Sequence, residues 1–98
     1  MAVIRYAPRA FSDLERLCEF LAHRDPGAAE QTVELILTAV EILGKHPFIG
    51  RAAEAGLREL VISRGKSGYL ALHRYDEELG RVLVLSIRHQ REAGYIGQ

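Results

Sequence analysis

Arg81-Val82-Leu83-Val84-Leu85-Ser86-Ile87-Arg88 decides the architecture of this chain. Val82 to Leu85 are four apolar residues in a row, preceded by the turn-forming Asp76-Glu77-Glu78-Leu79-Gly80. Successive side chains of a strand point to opposite faces. A run apolar on both faces therefore predicts an interior strand of an antiparallel sheet, with a neighbour on each side. The alternation predicts Leu83, Leu85 and Ile87 under a helical layer, with Val82, Val84 and Ser86 on the other face. The rest of the chain offers no further helix for that second face, so either the sheet curls over it or another molecule covers it, and the second is favoured.

Working backwards, Tyr69–Tyr75 and Arg58–Ser63 are also strand-like, joined by Arg64-Gly65-Lys66-Ser67-Gly68. Both links are short and rich in turn residues, so the three strands read as consecutive antiparallel hairpins. Residues 48–57, with Gly50 and Gly56, form a loop before them.

The first half is helical. Ala2 to Tyr6 reads as a short strand, and Pro8 suits the first position of a helix, where a missing N–H costs nothing. Phe11, Leu14, Cys18 and Leu21, with Leu17 beside them, mark one helical face, and Arg9, Asp13, Arg16 and Glu19 the other. Asp25-Pro26-Gly27 stops this helix and starts a second, with Asp25 as its cap. The second helix has a main stripe of Ala29, Val33, Ile36, Val40 and Leu43. Another stripe of Ala28, Leu35, Ala39 and Ile42 lies about 100° away. A helix this apolar needs cover on more than one side, and Gly44-Lys45-His46-Pro47 ends it. The order strand, helix, helix, three strands predicts an α+β fold, a helical hairpin packed on a small antiparallel sheet.

Composition bounds the function. Ninety-eight residues, 48% hydrophobic and 27% charged, suit one soluble domain spanning 1–98. No signal-peptide pattern or membrane-length apolar run is present, and the lone Cys18 suits a reducing cytoplasm. A formal net charge of zero argues against binding nucleic acid by electrostatics alone. The charge is nevertheless uneven. Residues 1–50 hold five basic and seven acidic side chains, and residues 51–98 eight and six.

No phosphate-binding glycine pattern occurs. His23, His46, His73 and His89 lack metal-ligand spacing, so neither metal nor cofactor is expected. The run Arg88-His89-Gln90-Arg91-Glu92-Ala93-Gly94-Tyr95 is different, because it leaves an interior strand at a fixed edge of the sheet. Arginines there suit a phosphate or an acidic partner, the His89 imidazole could move protons, and Tyr95 offers a ring and a hydroxyl.

Several segments, in order, resemble toxins of the RelE/ParE superfamily. They are Ala10 with Asp13-Leu14; Asp25-Pro26 with Ala29; and Leu43 with His46-Pro47 and Gly50-Arg51. Further along come Leu57-Arg58-Glu59-Leu60, Gly68-Tyr69-Leu70-Ala71-Leu72-His73-Arg74-Tyr75, and, most specifically, Leu85 to Tyr95. The resemblance implies a type II toxin–antitoxin pair with a ParD-like antitoxin as partner. It leaves two activities, since fold does not choose between branches. ParE-like members poison DNA gyrase without catalysis; RelE-like members cut messenger RNA on the ribosome.

In the RNA-cleaving branch an arginine is expected after the Gly-Tyr of the middle strand and lysines near Val61 and Ser63. This chain has Leu70 at the first position, and neither of the others is basic. Cleaving RNA needs an acid, a base and cations for a crowded phosphorane, so the non-catalytic ParE-like reading is favoured. Arg88, His89, Arg91 and Tyr95 are then target contacts. Under the nuclease alternative Arg88, His89 and Tyr95 are catalytic, and a third reading is a non-toxic relic that only binds antitoxin. Leu35, Ile42, Val82 and Val84 are expected to meet the antitoxin. The packing assigned to the last strand also makes Leu85→Ala a core cavity, expected to cost about 2–5 kcal/mol.

Overall fold

The computed structural model describes residues 1–64 and 67–92. Its elements run β1 (Val3–Tyr6), α1 (Pro8–Ala22), α2 (Pro26–Val40), a 3₁₀ turn (Glu41–Gly44), β2 (Arg51–Ala52), a second 3₁₀ turn (Glu54–Gly56), β3 (Arg58–Arg64), β4 (Ser67–Asp76) and β5 (Arg81–His89). The five strands form one sheet in the order β1-β5-β4-β3-β2. β5 is an interior strand, as its two-faced apolar run requires. Both helices pack on one sheet face, giving the expected α+β architecture.

Two features of the sheet differ from expectation. β1 pairs with β5 in parallel, Ile4 opposite Val82 and Tyr6 opposite Val84, so the sheet is mixed. Parallel neighbours need a crossover connection, and everything between these two strands supplies it. β2 adds a short antiparallel edge beside β3.

The helix starts follow from local chemistry. Pro8 and Pro26 open α1 and α2, and the Asp25 carboxylate accepts the N–H groups of Gly27 (3.0 Å) and Ala28 (3.3 Å). On α2 the buried stripe is Ala29, Thr32, Ile36 and Val40, continued by Leu43. Thr32 takes the place expected for Val33. On α1 the correction is larger, because the buried residues are Ala10, Asp13, Leu14 and Leu17. Phe11 is 56% exposed, its ring resting against Tyr6 at 5.8 Å between centroids. Asp13, expected on the solvent side, is 1% exposed. The helix is rolled about its axis relative to the apolar pattern, and the hydrogen bonds of Asp13 described below account for the roll.

Up to the bulge the faces of β5 are the reverse of those expected, whereas Ile87 lies in the core as expected. Val82 and Val84 are 0% exposed in the core under the helices, with Leu60, Ile62, Tyr69, Ala71 and Ile87. Leu83 and Leu85 are only partly buried. The reason is a bulge. Leu72 pairs with Ser86 but His73 with Val84, which leaves Leu85 without a partner on β4. An extra residue in one strand shifts the inward-facing set by one. Val82 and Val84 point inward before the bulge and Ile87 after it, an alternation that a regular strand cannot produce. As antitoxin contacts, Val82 and Val84 are therefore corrected: they have no exposed surface to offer. Leu35 is partly buried against the core, whereas Ile42 is 41% exposed.

The loop before β2 closes the far end of the core. The Phe48 ring meets Tyr75 edge-on at 5.1 Å, the Arg58 guanidinium lies 5.8 Å over Phe48, and Arg58 donates to the Gly50 carbonyl at 3.2 Å. Gly50 has φ 104°, and a Cβ there would fall 2.6 Å from the Glu59 carbonyl oxygen. Only glycine fits this approach. Beside it, Arg51 pairs with the buried Glu59 at 2.6 Å.

Two measurements check this packing. Ile87→Ala is expected to cost about 2–4 kcal/mol in chemical denaturation, and Leu85→Ala about 1 kcal/mol, replacing the larger cost expected for Leu85. His73 is fully buried, with Nδ1 3.2 Å from the Ala71 carbonyl. Burial holds its pKa below the usual histidine value, against the opposing pull of the Ala71 and Ile49 carbonyls and with some help from the Arg58 charge. The unfolded chain then takes up a proton near pH 6.5 while the folded protein does not. Stability contributed by neutral His73 is present above that pH and lost as pH falls through and below it, by at most about 1.4 kcal/mol per pH unit. Melting temperature measured from pH 7.5 to pH 5 is expected to fall, and His73→Phe to flatten that fall.

Candidate functional site

The site is built around the end of β5, starting from a buried carboxylate. Asp13 Oδ2 on α1 accepts the Ser86 hydroxyl at 2.6 Å and the Ile87 N–H at 2.8 Å. Those donors are the two residues that follow the bulge, so the polar side chain fastens the helix to the one irregular point of the strand. Hydrogen bonds to a charged acceptor are stronger than neutral ones, and a buried carboxylate without them would be strongly destabilising.

One turn further along α1, Arg16 continues the network. It lies 3.5 Å from Asp13 Oδ1 and holds the Glu92 carboxylate with Nη1 at 3.0 Å from Oε1 and 2.9 Å from Oε2. Glu92 Oε1 also accepts the His89 N–H at 2.9 Å. Arg88 Nη1 donates to the Glu92 carbonyl at 2.7 Å. The polar turn after β5 is therefore tied to α1 and to itself.

His89 pairs across the sheet with Tyr69, and their rings meet edge-on at 5.2 Å. Its Nδ1 accepts the Arg91 N–H at 3.1 Å, which places the proton of the neutral ring on Nε2. A cleft of about 680 Å³ opens beside it, lined by Arg16, Leu17, Phe20, Leu21, Arg24, Tyr69, His89, Arg91 and Glu92. That size suits a ligand or an inserted partner side chain. Arg24 lies 5.0 Å over the Phe20 ring. Neither Arg24 nor Arg91 has an ion pair among the described residues.

The structure thus brings His89 and Arg91 together at one cleft. Arg88 is separated from them. It pairs with Leu70, and Leu70 with Val61, on the opposite face of the sheet. Tyr95 lies outside the described residues. The sequence reading missed Asp13, Arg16, Phe20, Arg24, Tyr69 and Glu92. The available signal for Asp13 was its spacing from Ala10, Leu14 and Leu17, which puts an acid on their face of the helix. Among the described residues there is no cluster that could hold a metal ion and no helix long and apolar enough to cross a membrane.

A two-helix layer thus lies on one face of a mixed sheet, with a basic and aromatic cleft at the end of the last strand. The family described as ParE toxin of type II toxin–antitoxin system, parDE, matches residues 4–94. The chain belongs to this ParE toxin family, within the RelE/ParE superfamily. Toxin RelE3 of Caulobacter vibrioides is 36% identical over 92 residues, covering 94% of this chain and 98% of that protein. Among solved structures, the chromosomal ParDE system from P. aeruginosa superposes with a TM-score of 0.76 at 22% identity, covering 91% of this chain and 96% of its counterpart. The intact E. coli RelBE toxin–antitoxin complex gives 0.65 at 15% identity, covering 94% and 100%. These two structures establish the fold.

Asp13→Ala is expected to lower stability by about 3 kcal/mol in urea denaturation, since it leaves the Ile87 N–H and the Ser86 hydroxyl buried without their acceptor. Ser86→Ala removes one donor and is expected to cost about 1–2 kcal/mol. Equal stability of the Asp13 variant and the unmodified protein would contradict the role given to this carboxylate.

Proposed function

We propose that this type II toxin acts by binding rather than catalysis, that its target is DNA gyrase in the cytoplasm, and that a cognate antitoxin neutralises it. The observation that carries the reading is the cross-strand row Val61, Leu70, Arg88. Resemblance to the RNA-cleaving branch leads one to expect basic side chains at the first two positions, and both are aliphatic. The arginine that remains spends its guanidinium on carbonyls of its own turn. His89 stands on the other face. Among the described residues, a phosphorane bound on either face would meet only part of the required set of acid, base and cations.

The cleft gives a target contact instead. Arg91, Arg24 and His89 supply charge and hydrogen bonding, and Phe20 and Tyr69 supply flat apolar area, the residue types enriched at protein interfaces. Tyr95 follows directly in sequence and is assigned to the same contact. The antitoxin reading is supported by the solved relatives, which come from ParDE and RelBE assemblies. Ile42 with Leu35 on α2 is retained as an antitoxin contact.

A second reading, a ribosome-dependent nuclease, is favoured by the RelE name of the Caulobacter relative. A supercoiling assay with purified protein separates the two. Inhibition at micromolar protein with accumulation of cleaved plasmid is the expected result, and Arg24→Glu/Arg91→Glu is expected to lose it. Unimpaired supercoiling, together with messenger cleavage on translating ribosomes, would establish the nuclease instead.

A further inference from the structure

The cleft between α1 and the turn after β5 holds more positive charge than the molecule itself neutralises. Glu92 is the one acid among its described lining residues. Both of its carboxylate oxygens are held by Arg16, and Oε1 also accepts the His89 N–H. The charges of Arg16 and Glu92 therefore cancel within the cleft. What is left is Arg24 from α1 and Arg91 from the turn, both exposed and neither ion-paired among the described residues. The His89 ring adds a donor, since its Nδ1 accepts the Arg91 N–H and the proton of the neutral ring lies on Nε2. The surface between these groups is apolar, made by Leu17, Phe20, Leu21 and the Tyr69 ring.

Two unneutralised guanidiniums from different elements, with apolar surface between them, select an occupant. A purely apolar insert would strip water from both arginines and give them no partner, whereas a carboxylate on each removes that penalty. A cleft of about 680 Å³ has room for one large apolar side chain and the groups that flank it. In an extended segment, residues two apart face the same way. An acid two places before an apolar residue, and another two places after it, therefore point into the cleft with it. We propose that the cleft receives such an acidic segment of the target protein. Its apolar side chain lies against Phe20 and Leu21, and its flanking carboxylates pair with Arg24 and Arg91. The proposal rests on the reading that the toxin acts by contact at this cleft, and adds the charge and spacing of the sequence recognised there. A nucleic acid fits less well. Tyr69 is 3% exposed and Arg24 already lies 5.0 Å over the Phe20 ring, which leaves bases little to stack on. Two cations in a chain of zero formal net charge also give a polyanion little attraction.

The test is an NMR titration of the full chain with the peptide acetyl-Glu-Ala-Phe-Ala-Glu-amide, read at the amide signals of Phe20, Tyr69 and His89. Saturable shifts are expected, with a Kd on the order of 0.1–1 mM. Exchanging both acids of the peptide for Gln is expected to weaken binding about tenfold, and so is R24Q/R91Q in the protein. The two changes together are expected to weaken it no further than either alone, because they remove the same pairs. R5Q/R74Q neutralises two exposed arginines outside the cleft and is expected to leave the affinity unchanged. Equal binding of the acidic and Gln peptides, equal loss in both arginine pairs, or no saturable shift overturns the acidic segment, whatever the supercoiling assay gives. Tighter binding of AMP than of the acidic peptide overturns it in favour of a nucleic acid. Peptide binding as expected, with gyrase unaffected by the unmodified protein, removes gyrase as the target and upholds the chemistry of the cleft.

Discussion

The Asp13 carboxylate reaches from α1 to the bulge of β5, and much of the remaining geometry depends on that reach. A buried carboxylate is tolerable only where donors meet it, and the bulge presents two at adjacent residues. Satisfying them fixes the roll of α1, which brings Ala10, Leu14 and Leu17 onto the sheet and turns Phe11 outward. The same roll aims Arg16 at Glu92, and Glu92 in turn holds the His89 backbone. The position of the cleft is thus a consequence of a polar contact in the core.

This explains what was legible in the sequence and what was not. The order of elements, the interior placement of β5, the Asp25 cap and the turns all follow from local patterns, because each depends on residues close together in the chain. The faces of β5 did not follow. Period-two alternation assumes a regular strand, and nothing in Leu85-Ser86-Ile87 announces an extra residue opposite Leu72. The roll of α1 was hidden for a related reason. Its apolar residues allow two nearby stripes, and the choice between them is made by donors more than 70 residues away. The parallel pairing of β1 is another long-range fact that no short window contains. Of the candidate site, the turn after β5 could be found from its Arg, His and Arg run. Its counterpart on α1 could not, since Arg16, Phe20 and Arg24 look like an ordinary helix surface until the sheet is beside them.

The alternation of a strand also separates chemistries that adjacency in sequence seems to join. Arg88 and His89 are neighbours in the chain, yet one faces Leu70 and the other Tyr69. The two faces of this small sheet therefore carry different side chains. One borders the recessed, aromatic and basic cleft; the other carries the aliphatic Val61 and Leu70 beside Arg88.

The parallel pairing of β1 with β5 has a consequence for how the molecule comes into being. The strand at residues 3–6 must wait for the strand at residues 81–89, and Asp13 must wait for Ser86 and Ile87. During synthesis the N-terminal helices can form and associate, but the surface they are meant to cover does not yet exist. Contacts between the two ends of a chain are also the slowest to close. Until the last strand is made, the nascent chain lacks the sheet on which the helices rest. The cleft and the contacts of the buried carboxylate both need residues from α1 and β5, so neither can form before the chain's last strand is in place.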